Sequence, residues 1–296
     1  MPRKDKPPGY FPETVQKDVL RARDMELVKQ LATRKGRSLC YCGLTGSQAN
    51  DVLKWREWLA SVVAVQESIA DETKRVQFET DLMLRLTPHF NGNIELVFSD
   101  VWDYLASNAF ADLHMFPDLV NLDFCGGLLY RVNMSYPKQR LAFQKLFEAA
   151  SAAGEDFILL LTLMPRDRGK ETYKKYLEDM VGSLANNTLH SNKAKLQTSL
   201  DANRRFHLRE NLRLFKACLP IMLSEIGRSH NFLVRVSYIR LYTKMIHMAF
   251  DCTFVPNVLG LAADPRAIIT LLNQPMRKLM ESGAEEQEWP PQIGLE

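Results

Sequence analysis

The chain has 296 residues, 38 Lys and Arg against 35 Asp and Glu, and 46% apolar residues, which excludes a disordered chain. Its most apolar run, around Phe157–Leu163, is far shorter than the ~20 residues a membrane helix needs, and the charged, Pro-rich start has no apolar leader segment. Five cysteines without pair-of-pairs spacing read as reduced thiols, so a cytoplasmic protein with no membrane partner is expected.

Pro12 opens a predicted helix with Val15, Val19, Leu27 and Leu31 as its apolar stripe, ending near Lys35-Gly36. From Ser38 short apolar runs alternate with amphipathic stretches. Strands are predicted at Leu39–Cys42, Ser61–Val65, Ile94–Phe98, Leu119–Leu122 and Phe157–Leu163. Helices are predicted between them at Gln48–Leu59, Asp71–Leu86, Trp102–Asn108 and Gln139–Ala150. Strands separated by helices make βαβ units and a parallel sheet covered on both faces. Residues 165–228 read as polar and helical. Phe232–Ile239 and Met245–Phe254 are β-type runs separated by so few residues that they can only be antiparallel neighbours. Asp264-Pro265 caps a last predicted helix, and the tail Glu281–Glu296 is acidic and expected to fray.

The strand ends carry the chemistry, because ligands of an open α/β sheet sit beyond the carboxyl ends of its strands. The first strand runs into Gly43-Leu44-Thr45-Gly46, where glycines allow close approach of a ligand. Glu67 follows the second strand, 24 residues after Gly43, and an acid there can accept from both hydroxyls of a ribose. A dinucleotide would use the same acid, but Gly-x-Gly-x-x-Gly is missing. Asp100-Val101 follows the third strand, where Asp also suits a helix cap. The fourth ends in Asn121-Leu122-Asp123-Phe124-Cys125-Gly126-Gly127, whose carboxylate can accept from an amine and whose glycines leave room beside it. Cys125 lacks the Pro-Cys context of a nucleophile and reads as packing.

This layout resembles the class I S-adenosylmethionine-dependent methyltransferases over roughly residues 38–164 and 209–256. The fourth strand end is nearest the tRNA guanine-N2 dimethyltransferase and three-Cys-motif partner types, without their proline. The resemblance implies an α/β fold, a seven-stranded, mostly parallel Rossmann-like sheet with an antiparallel terminal hairpin, and S-adenosyl-L-methionine as cofactor. It implies Gly43 and Gly46 around the methionine, Glu67 on the ribose, Asp100 and Val101 on the adenine, and Asp123 with Phe124 as catalytic residues at the target. The expected domains are an arm and helix over 1–37, a cofactor-binding core over 38–164, a basic helical insertion over 165–228, the hairpin over 229–256, and a helix with acidic tail over 257–296.

Between Lys193 and Lys216 seven Lys and Arg face two acids, with Phe206 and His207 interleaved. Basic side chains neutralise phosphates and aromatics stack on bases, although such runs are also ordinary solvated helix faces. Arg166, Arg168, Arg204 and Arg205 are the expected substrate-binding residues, RNA or DNA the expected partner, and a nitrogen or oxygen the target. A non-catalytic module of the same fold and a small-molecule methyltransferase are the alternatives. The six histidines show no metal spacing, so no metal is expected, and neither a P-loop nor a Gly-x-Ser-x-Gly elbow occurs.

Overall fold

The computed structural model describes residues 15–127, 135–164, 170–183, 197–198, 201, 208–242, 245–256 and 286–288. The predicted C-terminal helix at 264–272 lies outside them. The chain divides into two compact units, Met1–Asp123 with Glu155–Leu160, and Phe124–Gly154 with Leu161–Glu296.

In the first unit, helix α1 (Val15–Lys35) leads into β1 (Leu39–Leu44). A turn, the short α2 (Asn50–Trp55) and a 3-10 turn (Arg56–Trp58) return the chain to β2 (Leu59–Gln66). Helix α3 (Glu72–Phe90) is capped by Asp71, which accepts from Lys74 N. It leads to β3 (Ile94–Phe98), followed by α4 (Val101–Leu105), α5 (Asn108–Ala111) and β4 (Leu119–Gly127). Leu39, Tyr41, Val62, Ala64, Val65, Leu82, Leu86, Leu119 and Val120 are buried around these strands. Such near-continuous burial along a strand marks a parallel sheet covered on both faces.

Helix α1 departs from its predicted stripe. Val19 is 43% exposed, while Leu20, Arg21, Asp24, Val28, Leu31 and Ala32 are buried. These positions keep the three- and four-residue spacing of one helix face. That face is partly charged because it meets the carboxylates of Asp51 and Asp118, so its inward residues look like solvent-facing ones in the sequence.

In the second unit α6 (Tyr136–Ala153) is capped by Ser135 and stopped by Gly154 at φ 67°. The remaining elements are α7 (Lys170–Ser183), α8 (Leu208–Ser229), β6 (Phe232–Tyr242) and β7 (Met245–Phe254), and β5 (Phe157–Met164) contributes to both units. Phe147 packs edge-on to Phe232 at 5.4 Å between ring centres. Thr162 and His247 share a buried hydrogen bond of 2.8 Å.

The hydrogen-bonded strand order is β3-β2-β1-β4-β5-β7-β6, with a further strand, β8 (Glu286–Glu288), on the outside of β6. β7 is antiparallel to β6 and lies between β5 and β6. The seven-stranded Rossmann-like methyltransferase sheet expected from the sequence is present. Within the tail expected to fray, Glu286, Gln287 and Glu288 pair with Arg240, Ile239 and Tyr238. Satisfying an edge strand's open backbone groups outweighs the entropy of ordering so short a segment.

Candidate active site

Strand register fixes which residues stand together. Leu44 of β1 pairs with Val65 of β2, and Gln66 of β2 pairs with Phe98 of β3. Gly43 of β1 pairs with Asn121 of β4. Each strand is parallel to its neighbour, so Gly46, Glu67 and Asp100 follow the carboxyl ends of β1, β2 and β3, while Asp123 lies within β4, two residues past the Gly43–Asn121 pair.

Gly43 has a reason the sequence did not show. A Cβ built there would lie 2.2 Å from the carbonyl oxygen of Asn121 and 2.9 Å from Tyr41 Oη. The glycine therefore lets β1 and β4 approach each other. Gly46 has φ 59°, the left-handed region that favours glycine, and its carbonyl accepts from Ala49 N at 3.3 Å. In the same turn the hydroxyls of Thr45 and Ser47 are buried and make no hydrogen bond, with Ser47 only 2% exposed. Buried hydroxyls without partners cost stability, so two in one glycine turn suit a site that a polar ligand completes.

Glu67 is exposed just past the end of β2. The β2 and β3 ends are tied by Ser99 N donating to Gln66 O at 2.8 Å and Ser68 Oγ donating to Phe98 O at 3.3 Å. Asp100 Oδ1 accepts from Trp102 N at 3.0 Å and Asp103 N at 3.2 Å, so it caps α4 and its carboxylate is held at the strand end. Val101 is buried as the first residue of that helix. Phe124, next to Asp123 on β4, is half-buried.

Asp123 belongs to a charged cluster that the sequence did not reveal. Lys17 Nζ of α1 stands 3.3 Å from Asp123 Oδ2, with side-chain exposures of 12% and 17%. One turn further along α1, Arg21 pairs with Asp51 of α2 and reaches Asp18 at 3.2 Å. Asn121 donates to Asp51 Oδ2 at 3.0 Å and to Tyr41 Oη at 3.4 Å. Burial, and then the nearby Asp123 charge, push the Asp51 carboxyl up, against the opposing pull of Arg21 and Asn121. Burial, and then Asp51, hold the Tyr41 phenol well above its usual range. The cluster thus combines three carboxylates, two cations and neutral donors beside β1 and β4. Apart from Arg21–Asp18 within α1, its pairings join residues distant in the chain, which is why the sequence gave no signal for it.

Arg166, Arg168, Arg204 and Arg205 lie outside the described residues. Of the basic run between Lys193 and Lys216, Lys216 is buried at 3% exposure, so it is no part of a solvent-facing surface. Burial raises the thiols of Cys42 and Cys218, the latter to about 12, which leaves both unreactive. Among the described residues no group of three or more His, Cys, Asp or Glu could hold a metal ion, and no helix is long and apolar enough to cross a membrane.

No protein-family profile matches the chain, and no curated protein matches it. Solved structures do resemble it. Trm1 from Pyrococcus horikoshii, in complex with S-adenosyl-L-methionine, is 12% identical with a TM-score of 0.48, over 86% of this chain and 59% of that one. Magnesium protoporphyrin IX methyltransferase from Synechocystis, with S-adenosylmethionine bound, is 11% identical with a TM-score of 0.39, over 83% and 86%. EvdMO1 is 15% identical with a TM-score of 0.39, over 79% of this chain. The chain spans only 41% of the length of EvdMO1. The strand order, with β7 reversed between β5 and β6, is that of the class I S-adenosylmethionine-dependent methyltransferases, and the chain has their fold.

Proposed function

We propose that the chain is an S-adenosylmethionine-dependent methyltransferase acting on a nitrogen, or an oxygen, of a nucleic acid or nucleotide. The observation that supports this reading is the turn after β1, where the buried hydroxyls of Thr45 and Ser47 have no partner beside the left-handed Gly46, with Glu67 and Asp100 following the neighbouring strands β2 and β3. The turn fits the group: Thr45 and Ser47 offer hydroxyls to a charged amino-acid moiety, and the left-handed Gly46 opens the backbone beside them. Glu67 would accept from the ribose hydroxyls. Asp100, fixed by its capping bonds, and Val101 would flank the adenine. The bound cofactor supplies an already activated methyl group, so the protein's task is alignment. Asp123 would orient the target amine and take up its proton, with Phe124 alongside. The basic run of the insertion supports a polyanionic substrate.

Calorimetric titration with S-adenosylmethionine tests the cofactor assignment. Glu67→Ala should weaken binding about tenfold or more, and unchanged affinity would remove Glu67 from the ribose. Asp123→Ala should lower turnover more than cofactor affinity. Incubation with labelled cofactor and total nucleic acid, followed by nucleoside analysis, tests the substrate class. A chain that binds no cofactor would be the non-catalytic module instead.

A further inference from the structure

Three of the described residues other than glycine have a left-handed backbone: Ala49 at φ 46°, Asn91 at φ 46° and Asn231 at φ 65°. Asn91 ends α3 and Asn231 follows α8 by two residues, places where an asparagine side chain eases that conformation. Ala49 has no such side chain. It also precedes a helix instead of following one, standing at the N-cap of α2 with ψ 33°.

The local sequence favours a different arrangement. Ser is a strong N-cap, and Gln and Ala are good helix formers, so Ser47-Gln48-Ala49 reads as a cap with two helical residues behind it. That is why a helix is predicted from Gln48. The observed α2 begins at Asn50 and no side chain caps it, while Ser47 Oγ is buried without a partner. Anchors on both sides of the turn account for this. Val52 and Trp55 of α2 are buried, Trp55 Nε1 donates to Arg21 O at 3.0 Å, and Asp51 accepts from Asn121 at 3.0 Å. On the other side β1 is paired with both β2 and β4. Residues 45–49 must bridge these fixed points, and they do so with two left-handed residues, Gly46 and Ala49. Ala49 is fully buried, its N–H donates to Gly46 O at 3.3 Å, and its carbonyl accepts from Leu53 N at 2.9 Å. Strained residues persist only where their surroundings over-determine them, and they collect at ligand clamps and switches.

We propose that residues 45–49 are a two-state turn with Ala49 as its hinge. In the observed state Ala49 is left-handed and the Thr45 and Ser47 hydroxyls are left for a ligand. In the other state Ala49 is right-handed, α2 extends back over it, and Ser47 caps the longer helix. The first state carries the strain of Ala49 and two bare hydroxyls, the second the stretch of a shortened bridge, which brings two packings of one segment close together. A polar ligand that engages both hydroxyls binds only the first state and so draws the turn into it. The inference rests on the proposed function only for that ligand's identity, S-adenosylmethionine.

The test uses two variants of the full-length chain. Ala49→Pro fixes φ near −65° and forbids the observed state, yet proline is accommodated in the first turn of a helix. It should keep a thermal midpoint within about 5 °C of wild type while losing S-adenosylmethionine affinity by about tenfold or more. Ala49→Gly makes the left-handed state easy, so its midpoint should be unchanged or raised and its affinity equal to wild type or up to about twofold tighter. Relaxation-dispersion nuclear magnetic resonance should show microsecond-to-millisecond exchange at residues 45–49 in wild type and none in either variant. A larger fall in the Ala49→Pro midpoint means the second state is not accessible and overturns the proposal. So do retained affinity in Ala49→Pro, a lowered midpoint or weaker binding in Ala49→Gly, absence of exchange in wild type, and exchange that persists in either variant. Should wild type bind no S-adenosylmethionine, the methyltransferase reading falls, and the midpoints and the exchange decide the turn by themselves. Cofactor binding by a wild type without exchange sinks the turn alone.

Discussion

Asp118, just before β4, and Asp123, midway along it, are each paired with a lysine of α1, yet their surroundings differ. Asp118 is fully buried and saturated. It accepts from Lys35, from Arg37 at 2.7 and 2.9 Å, and from Cys40 N at 2.8 Å. Its own carbonyl receives Ile158 N at 2.9 Å. Further along the sheet Asp123 is partly exposed, Asp51 is held with a raised pKa, and the hydroxyls of Thr45 and Ser47 are left without partners. A saturated network fixes one arrangement, whereas a network with unmet capacity is ready to exchange partners. The difference has a direction: the saturated carboxylate precedes β4, and the hydroxyls without partners follow the carboxyl end of β1, the side on which ligands of such sheets sit.

The comparison can be broken most directly at Asp118. Asp118→Ala would leave two cations and a backbone N–H facing an empty space, a loss of about 3–5 kcal/mol in urea unfolding. Asp118→Asn, which still accepts from Cys40 N, should recover part of it. A loss under about 1 kcal/mol for Asp118→Ala would show that the amino end is no clamp.

Asp51 gives the next effect, and it depends on pH. Its folded carboxyl binds a proton more tightly than the unfolded one, because burial outweighs Arg21. The native state then carries more protons than the unfolded state from the ordinary carboxylate range, near pH 4, upward. Stability from neutral Asp51 is complete below that range and is lost as pH rises through the folded value. The stability of wild type relative to Asp51→Asn should therefore fall with rising pH. A relative stability that rises instead would mean that Arg21 dominates.

The smallest effect should be at Ser47. Removing a buried hydroxyl that has no partner relieves its desolvation, so Ser47→Ala should leave the free chain unchanged or more stable by up to about 1 kcal/mol. The same change should weaken S-adenosylmethionine binding by up to about tenfold in a titration. Destabilisation of the free chain by the substitution would take Ser47 out of the ligand's reach and into the core.

Much of this was legible from the chain. Alternating apolar runs and helices located the strands, with Ile94–Phe98 read to the residue. The fourth strand was read short because Asp-Phe-Cys-Gly-Gly looks like a turn, yet the strand runs on to Gly127. The inward face of α1 escaped notice because Lys17, Arg21, Asp24 and Lys35 look like a solvated helix side. They face inward because their partners lie elsewhere in the chain, Asp123 being 106 residues from Lys17. Periodicity reports hydrophobic faces. It has no sign for a face whose burial is satisfied by opposite charge.

The unbroken run of α1 between its two lysines constrains how the protein can vary. Lys17 and Lys35 are tied to points fixed by a single strand, so the helix acts as a ruler with a set phase. Deleting one residue between them would swing one end by about 100° relative to the other and retract it by about 1.5 Å. The amino-end clamp would then dictate which side chain, if any, meets the carboxylate at the other end. Length changes in this helix should therefore be barred even where every individual residue can be replaced.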